Sequence, residues 1–455
     1  MRIEEDFLGK KEIEDTYYGI HTIRATENFP RTNETFDEYF IESYFQIKKA
    51  CTTLNNKLGY LSNEKSKAIK KACDEKFLYE YIIVDPLSGG AGTSVNMNVN
   101  EVIANRATEL LGGKLGEYIV DPLQDVNMHQ STNDTFVTAG KMAVIKNLQT
   151  LVEKVILLQN EIQKKEKEYY SVKKIARTQL MDAVPILFGQ TFGAWADALS
   201  RDRWRLYKVE ERVRSINLGG TAVGNGVGAP RDYILKIVDE LKKVSGVKIA
   251  KAENLIDNTQ NLDVFVEVHG LLKALSVNLL KISNDIRLLG SGPNTSIGEI
   301  ILPKIQGGSS IMPGKINPVI PEYVIQLCYS VFAHDSMITN CTANGTLELN
   351  HLSPTIVHHT LKSFKYLINS LESLTKYIKL IKVNEKKCRE NLEKSTSLLT
   401  PLIEEFGHDE LSKIIKSNDY VLKDIIKEVS KTFNLTEEEV IEKIDIQNIT
   451  GLGKK

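Results

Sequence analysis

The chain has 455 residues, 42% hydrophobic and 26% charged, with 58 lysines and arginines against 59 aspartates and glutamates for a formal net charge of −1. That balance argues against a nucleic-acid partner, which needs a basic field, and no apolar run reaches the roughly 18 residues of a membrane span. Five scattered cysteines with no C-x-x-C pair are expected to be reduced thiols of a cytoplasmic protein, packed as small hydrophobes.

The opening MRIEEDFLGKKEIED lacks a basic start followed by an apolar stretch and is not expected to be a signal peptide. Residues up to about 133 mix short helices with loops rich in Gly and Asn. Beyond them Ile145, Leu148, Val152, Val155, Leu158 and Ile162 make an apolar stripe at helical spacing. Helical patterns also run over about 189–215, 318–333 and 354–380. Between Leu262 and Gly290, the residues Val268, Leu272, Leu275, Leu279, Ile282, Ile286 and Leu289 recur at spacings of four and three, a heptad pattern that favours shallow left-handed packing. From about 389 the chain reads as short helices between polar turns, ending in GLGKK, which is expected to be flexible. Five helices of roughly 20 to 35 residues with broad apolar faces predict a long helix bundle. Their surplus apolar flanks predict a homo-oligomer. Alternating β patterns are scarce, so the fold class is mainly α.

Polar, mostly Gly-rich stretches interrupt these helices: Ser88–Glu101 (SGGAGTSVNMNVNE), Asn127–Asp134 (NMHQSTND), Ala176–Pro185 (ARTQLMDAVP), Gly219–Pro230 (GGTAVGNGVGAP) and Gln306–Glu322 (QGGSSIMPGKINPVIPE). Their Ser, Thr, Asn and Gln donate and accept hydrogen bonds without charge. In NMHQSTND a helix is predicted to begin near Asp134, with Ser131 and Asp134 at capping-box spacing. Ser131 either caps that helix and nothing more, or joins Thr132 and Asn133 in holding an anion at a helix N-terminus. Thr93, Ser94 and Asn96 repeat the pattern, and two donor clusters suit a dicarboxylate. Lys315 is either a solvated charge or a cation that, with Asn317, meets that ligand. Gly307, Gly308 and Gly314 free the backbone while Pro313 and Pro318 restrain it, as in a lid that closes as one unit. Ser309 and Ser310 are either turn residues or, if the loop's backbone N–H groups stabilise an oxyanion, a source of base. The eight histidines lack metal-ligand spacing, adjacent His358 and His359 included, and no phosphate loop is present, so no metal site is expected.

Taken together, GSSIMPGKINP (Gly308–Pro318), YYGIHTIRATENF (Tyr17–Phe29), GAGTSVNMNVNEVIANRA (Gly90–Ala107), NMHQSTND, RTQLMDAVP and GGTAVG resemble, in order and over nearly the whole chain, the signatures of the aspartase/fumarase superfamily. The resemblance implies a three-domain fold with a central five-helix bundle, here 1–134, 135–388 and 389–455. It implies a homotetramer whose bundles form a twenty-helix core, with each active site built by three subunits. It also implies anti elimination that releases fumarate, with no organic cofactor and, in some members, activation by a divalent cation such as Mg2+.

Gly19-Ile20-His21-Thr22 and Thr178-Gln179 followed by Asp182-Ala183-Val184-Pro185 are most similar to the aspartase branch, which removes ammonia from L-aspartate; a class II fumarase, another fumarate-releasing lyase of the superfamily or a non-catalytic crystallin-like paralogue are the alternatives. On this resemblance Ser309 matches the lid serine that acts as general base. Thr93, Ser131 and Thr132 would bind the β-carboxylate, Lys315 and Asn317 the α-carboxylate. Asn133 and Thr178 would orient the substrate and its amino group, Gln179 would supply a hydrogen-bonding contact, and Glu322 would orient neighbours from behind. Some positions depart from the family pattern. IVDPLQD stands where relatives often read His-Pro-Asn-Asp, so a secondary dicarboxylate site is not carried over. Ser88 replaces a common Gln, and His129 a frequent Ser, both changes that bear on substrate preference.

Overall fold

A computed structural model describes residues 1–445; the terminal GLGKK lies outside the described residues. The chain opens with an antiparallel hairpin, β1 (Arg2–Asp6) and β2 (Gly9–Ile13), absent from the sequence expectation. Its buried positions are Glu4 and Ile13, so it carries no apolar alternation to read. Then come α1 (Ile20–Asn28), α2 (Glu38–Lys57), α3 (Asn63–Cys73) and α4 (Thr93–Leu110). Asp37 caps α2 by accepting from the Tyr39 and Phe40 N–H groups, and Ser62 caps α3 at Lys65. One face of α2, carrying Phe40, Tyr44, Ile47, Cys51 and Leu54, is buried at three- and four-residue spacing.

The expected long helices are α5 (Thr132–Glu168) and α6 (Phe188–Val213) and, after the shorter α7 (Arg231–Ser245) and α8 (Leu255–Gln260), α9 (Asp263–Leu289), α10 (Val319–Ala343) and α11 (Ser353–Leu380). All seven heptad residues of α9 are buried, as are Ile145, Leu148, Val155, Leu158 and Ile162 of α5. Each such side chain contributes about 1.5–3 kcal/mol by leaving water.

The chain divides into two compact units, and all five long helices cross from one to the other. The first comprises Met1–Glu153, Arg203–Ser276 and Tyr329–Ile368; the second comprises Lys154–Asp202, Val277–Cys328 and the chain from Asn369 on. In the first, Gly140 of α5 brings the backbone against Val357 of α11: a Cβ there would lie 2.8 Å from its side chain. Ser363 of α11 sits 2.9 Å from both His269 Nε2 of α9 and His334 Nδ1 of α10. In the second, Trp195 of α6 donates to Asp285 of α9 at 3.0 Å, and Asn278 of α9 donates to Asp202 of α6 at 2.7 Å.

The second unit also holds the hairpin β3 (Lys173–Thr178) and β4 (Met181–Leu187), a stretch expected as loop. Short ladders join β5 (Ser215–Ile216) to β6 (Ala250–Lys251) in the first unit and β7 (Ile300–Ile301) to β8 (Lys382–Val383) in the second. After α12 (Glu385–Glu393), short helices bury Leu399, Leu402, Leu411, Ile425 and Val429 against Ile175 of β3. All five cysteines are free thiols, and only Cys341 is not fully buried. Among the described residues no helix is long and apolar enough to cross a membrane.

Candidate active site

Two helix N-termini meet at one cavity of about 500 Å³ in the first unit. Thr93 opens α4, and Ser131 and Thr132 open α5; all three line the cavity. Gly92 makes the turn into α4 at φ +92°, packed so closely that a Cβ would fall 2.3 Å from the Phe136 ring. At α5 the Ser131 hydroxyl accepts from Asn133 N at 3.2 Å, and Asp134 Oδ1 accepts from Ser131 N at 3.0 Å. Thus Ser131 caps its helix and faces the cavity as well. Converging helix N-termini bring positive dipole ends and free N–H groups to the same space, a setting that attracts anions. Asn133 does not line it; its amide donates to Ala222 O at 2.7 Å.

Buried charges hold this arrangement, and of these the sequence reading names only Asp134, as a helix cap. Lys48 of α2 is fully buried, with its ammonium 2.8 Å from Asn96 Oδ1, 3.0 Å from Asn127 Oδ1 and 2.9 Å from Gln130 Oε1. One cation therefore ties α4 to the loop entering α5, and places positive charge behind the cavity wall. Burial pushes its pKa down to about 8. Asp134, also fully buried, accepts through Oδ2 from Gly219 N and Thr221 N, both at 3.0 Å, which fastens the GGTAVG loop to α5. Its carboxyl is pushed up to about 7 by burial, against the pull of the N–H donors and Lys48. Glu101 of α4 accepts from Gly19 N, His21 N, Thr22 N and the Thr22 hydroxyl and so holds the GIHT turn, whose His21 lines the cavity. Lys48 had a signal in the sequence: it falls on the apolar face of α2, between Tyr44 and Cys51.

The remaining sequence-predicted residues belong to the second unit and do not line this cavity. Thr178 and Gln179 are exposed at the β3–β4 tip, where Gln179 and Leu180 both take left-handed backbone (φ 54° and 67°). Beside them Arg177 Nη2 donates to fully buried Glu299 at 2.9 Å, and Asn391 of α12 donates to the same carboxylate at 3.0 Å. Glu299 immediately precedes β7, so one acid anchors the hairpin and the strand leading to the 306–317 loop.

That loop is closed on itself. Gly308 N donates to Lys315 O at 2.9 Å, and Asn317 Nδ2 donates to Gly308 O at 2.8 Å. A Cβ at Gly308 would stand 2.6 Å from Lys315 O, so only glycine allows the approach. Ser309 Oγ accepts two backbone N–H groups, from Ile311 at 3.2 Å and Met312 at 3.0 Å. Lys315 is exposed, and Glu322 is half-buried in the first turn of α10. Among the described residues, no group of three His, Cys, Asp or Glu is arranged to hold a metal ion.

The mainly helical chain that carries this donor-lined cavity matches lyases. The chain belongs to the aspartase/fumarase superfamily: a family profile described as Lyase matches residues 9–333. It is similar to aspartate ammonia-lyase of a Bacillus species, 42% identical with 100% of this chain and 98% of that one covered. It is 43% identical to aspartate ammonia-lyase of Helicobacter pylori, with 91% of each covered. A crystal structure of fumarate lyase:delta crystallin from Brucella melitensis bound to cobalt superposes with a TM-score of 0.93 at 40% identity, covering 98% of both chains.

Proposed function

We propose that this chain catalyses the reversible anti elimination of ammonia from L-aspartate to give fumarate, the reaction of an aspartate ammonia-lyase and hence a carbon-nitrogen lyase. The observation that carries this reading is the identity above 40%, across at least nine-tenths of each chain, to two proteins of that name.

In the proposed mechanism Ser309 acts as the base. Two N–H donors on its oxygen favour the alkoxide over the alcohol, as charge-assisted hydrogen bonds do. The alkoxide takes the proton from C3 of aspartate. The electron pair left behind spreads onto the adjacent carboxylate, which becomes an aci-carboxylate dianion. Thr93, Ser131 and Thr132, backed by Lys48, meet that growing charge, and stabilising it more than the ground state supplies the catalysis. Lys315 and Asn317 hold the α-carboxylate, Asn133, Thr178 and Gln179 the amino side, and Glu322 orients neighbours from α10. The C–N bond then breaks with its electrons on nitrogen, and the ammonium departs as neutral ammonia, so no strong acid is required. No organic cofactor enters the scheme, and a divalent cation such as Mg2+ enters as an activator.

The proposal includes the division at 134 and 388, a cytoplasmic location, and a homotetramer in which three chains complete each site. Purified protein offered L-aspartate, L-malate, argininosuccinate and adenylosuccinate separately, with and without Mg2+, should release ultraviolet-absorbing fumarate from aspartate alone. Release from malate instead would move the assignment to a class II fumarase. Silence with all four would favour a non-catalytic paralogue.

A further inference from the structure

The cavity between α4 and α5 is rich in donors, yet an aspartate molecule also brings an ammonium that needs an acceptor. The side-chain carbonyl oxygens of Asn96, Asn127 and Gln130 are already turned onto Lys48. His129 lines the same cavity and is half-buried, in left-handed backbone (φ 61°) two residues before Ser131. Its ring is held on three sides. Tyr60 and Tyr233 meet it edge-on, with centroids 4.9 and 5.4 Å away, and Nδ1 lies 2.8 Å from Asn55 Oδ1.

This network fixes the tautomer. The Asn55 amide donates through Nδ2 to Met128 O at 3.2 Å, which orients the group and leaves Oδ1 as the acceptor facing the imidazole. Nδ1 therefore carries the proton, and in the neutral ring Nε2 keeps its lone pair. Burial holds the ring's pKa below its ordinary value, so the neutral form prevails at pH 7. Among the described residues Nε2 has no protein partner. His21 lines the cavity too, but among the described residues no hydrogen bond fixes its ring.

We propose that His129 is a specificity-determining residue whose Nε2 accepts a hydrogen bond from the substrate's ammonium, favouring an amino acid over dicarboxylates without the amine. This rests on the aspartate reading above. A hydrogen bond between a neutral acceptor and a charged donor is among the stronger ones, and it is absent for a ligand with the same carboxylates and no amine.

The test compares L-aspartate with succinate in the unaltered protein, in His129→Asn, which tolerates left-handed backbone, and in His129→Phe, which keeps the contacts with Tyr60 and Tyr233. In both variants KM for L-aspartate should rise about tenfold or more, while kcat changes less than about threefold and the inhibition constant of succinate less than about twofold. Parallel weakening of aspartate and succinate, or an unmoved KM for aspartate, would overturn the inference. Should both variants misfold, ¹⁵N-histidine-labelled Ser309→Ala protein, holding aspartate unreacted, supplies the measurement. There the His129 Nε2 resonance should shift with aspartate and stay in place with succinate; equal shifts would overturn it. An unaltered protein that releases no fumarate from aspartate sinks the activity and this inference together, whereas an active protein with parallel losses sinks this inference alone.

Discussion

Ser309 and Lys48 show how unequally a sequence displays its functional residues. The serine stands in a loop whose glycines and prolines announce it, and its oxygen sits on two N–H groups. Replacing it with alanine removes the proposed base but no packing, so Ser309→Ala should keep its melting temperature and lose at least ~100-fold in kcat; near-normal turnover would refute the role. Lys48 was missed because a lysine in a helix reads as a surface charge unless its place on the apolar face, between Tyr44 and Cys51, is weighed. Glu101 and Glu299 escaped because their N–H and guanidinium partners come from distant segments, and Asp134 was legible only as a helix cap, since Gly219 and Thr221, which it also holds, lie far along the chain. For Lys48 a pH experiment follows. Its folded pKa of about 8 lies below the ordinary value of 10.5, so the ammonium is present below pH 8 and lost above it. Succinate binding should weaken as pH rises through 8. Between 8 and 10.5 the unfolded chain binds more protons, so the cost of burying this group is relieved and stability rises with pH across that window. Succinate affinity that stays level from pH 7 to 9.5 would contradict the assigned charge.

At the scale of elements, the long helices were legible because a heptad stripe is periodic and survives without context, and α9 runs almost over the expected 262–290. Both hairpins escaped. β1 and β2 are charged strands, and the β3–β4 turn uses Gln179 and Leu180 in left-handed backbone where Asn-Gly would have given a signal. The entry to α4 offers a prediction: Gly92→Ala forces a Cβ into left-handed backbone and into Phe136, which should cost about 2–4 kcal/mol and displace Thr93. Unchanged thermal stability in that variant would contradict the packing. The polar layer between α9, α10 and α11 offers another. His269, His334 and His359 have folded pKa values lowered by burial, His334 to about 3 and His359 to about 4. Unfolded imidazoles protonate near pH 6.5, so below it the unfolded chain binds more protons and stability falls. Melting temperature should decline from pH 6.5 toward 4, less steeply in His334→Gln, and a flat profile would count against this layer.

For the whole molecule, the exposed apolar side chains along the bundle are the relevant feature. Trp204 and Tyr207 of α6, Val277 of α9, and Tyr329 and Met337 of α10 are all at least 40% exposed. Large apolar side chains left in water on the long helices are what association would cover, in keeping with the proposed tetramer. If three chains complete each site, Ser309 and Thr93 of one site come from different chains. Ser309→Ala and Thr93→Val, each inactive alone, should then regain activity when unfolded together and refolded as hybrids, with about a quarter of the sites intact by random mixing. No recovery in hybrids of verified mass would refute shared sites.

Glu299 fastens the hairpin that bears Thr178 and, through the adjoining strand, the stem of the serine loop. Both arms are moored to that one carboxylate, so its loss, which strips the Arg177 guanidinium of this partner, should loosen together two stretches of chain 122 residues apart.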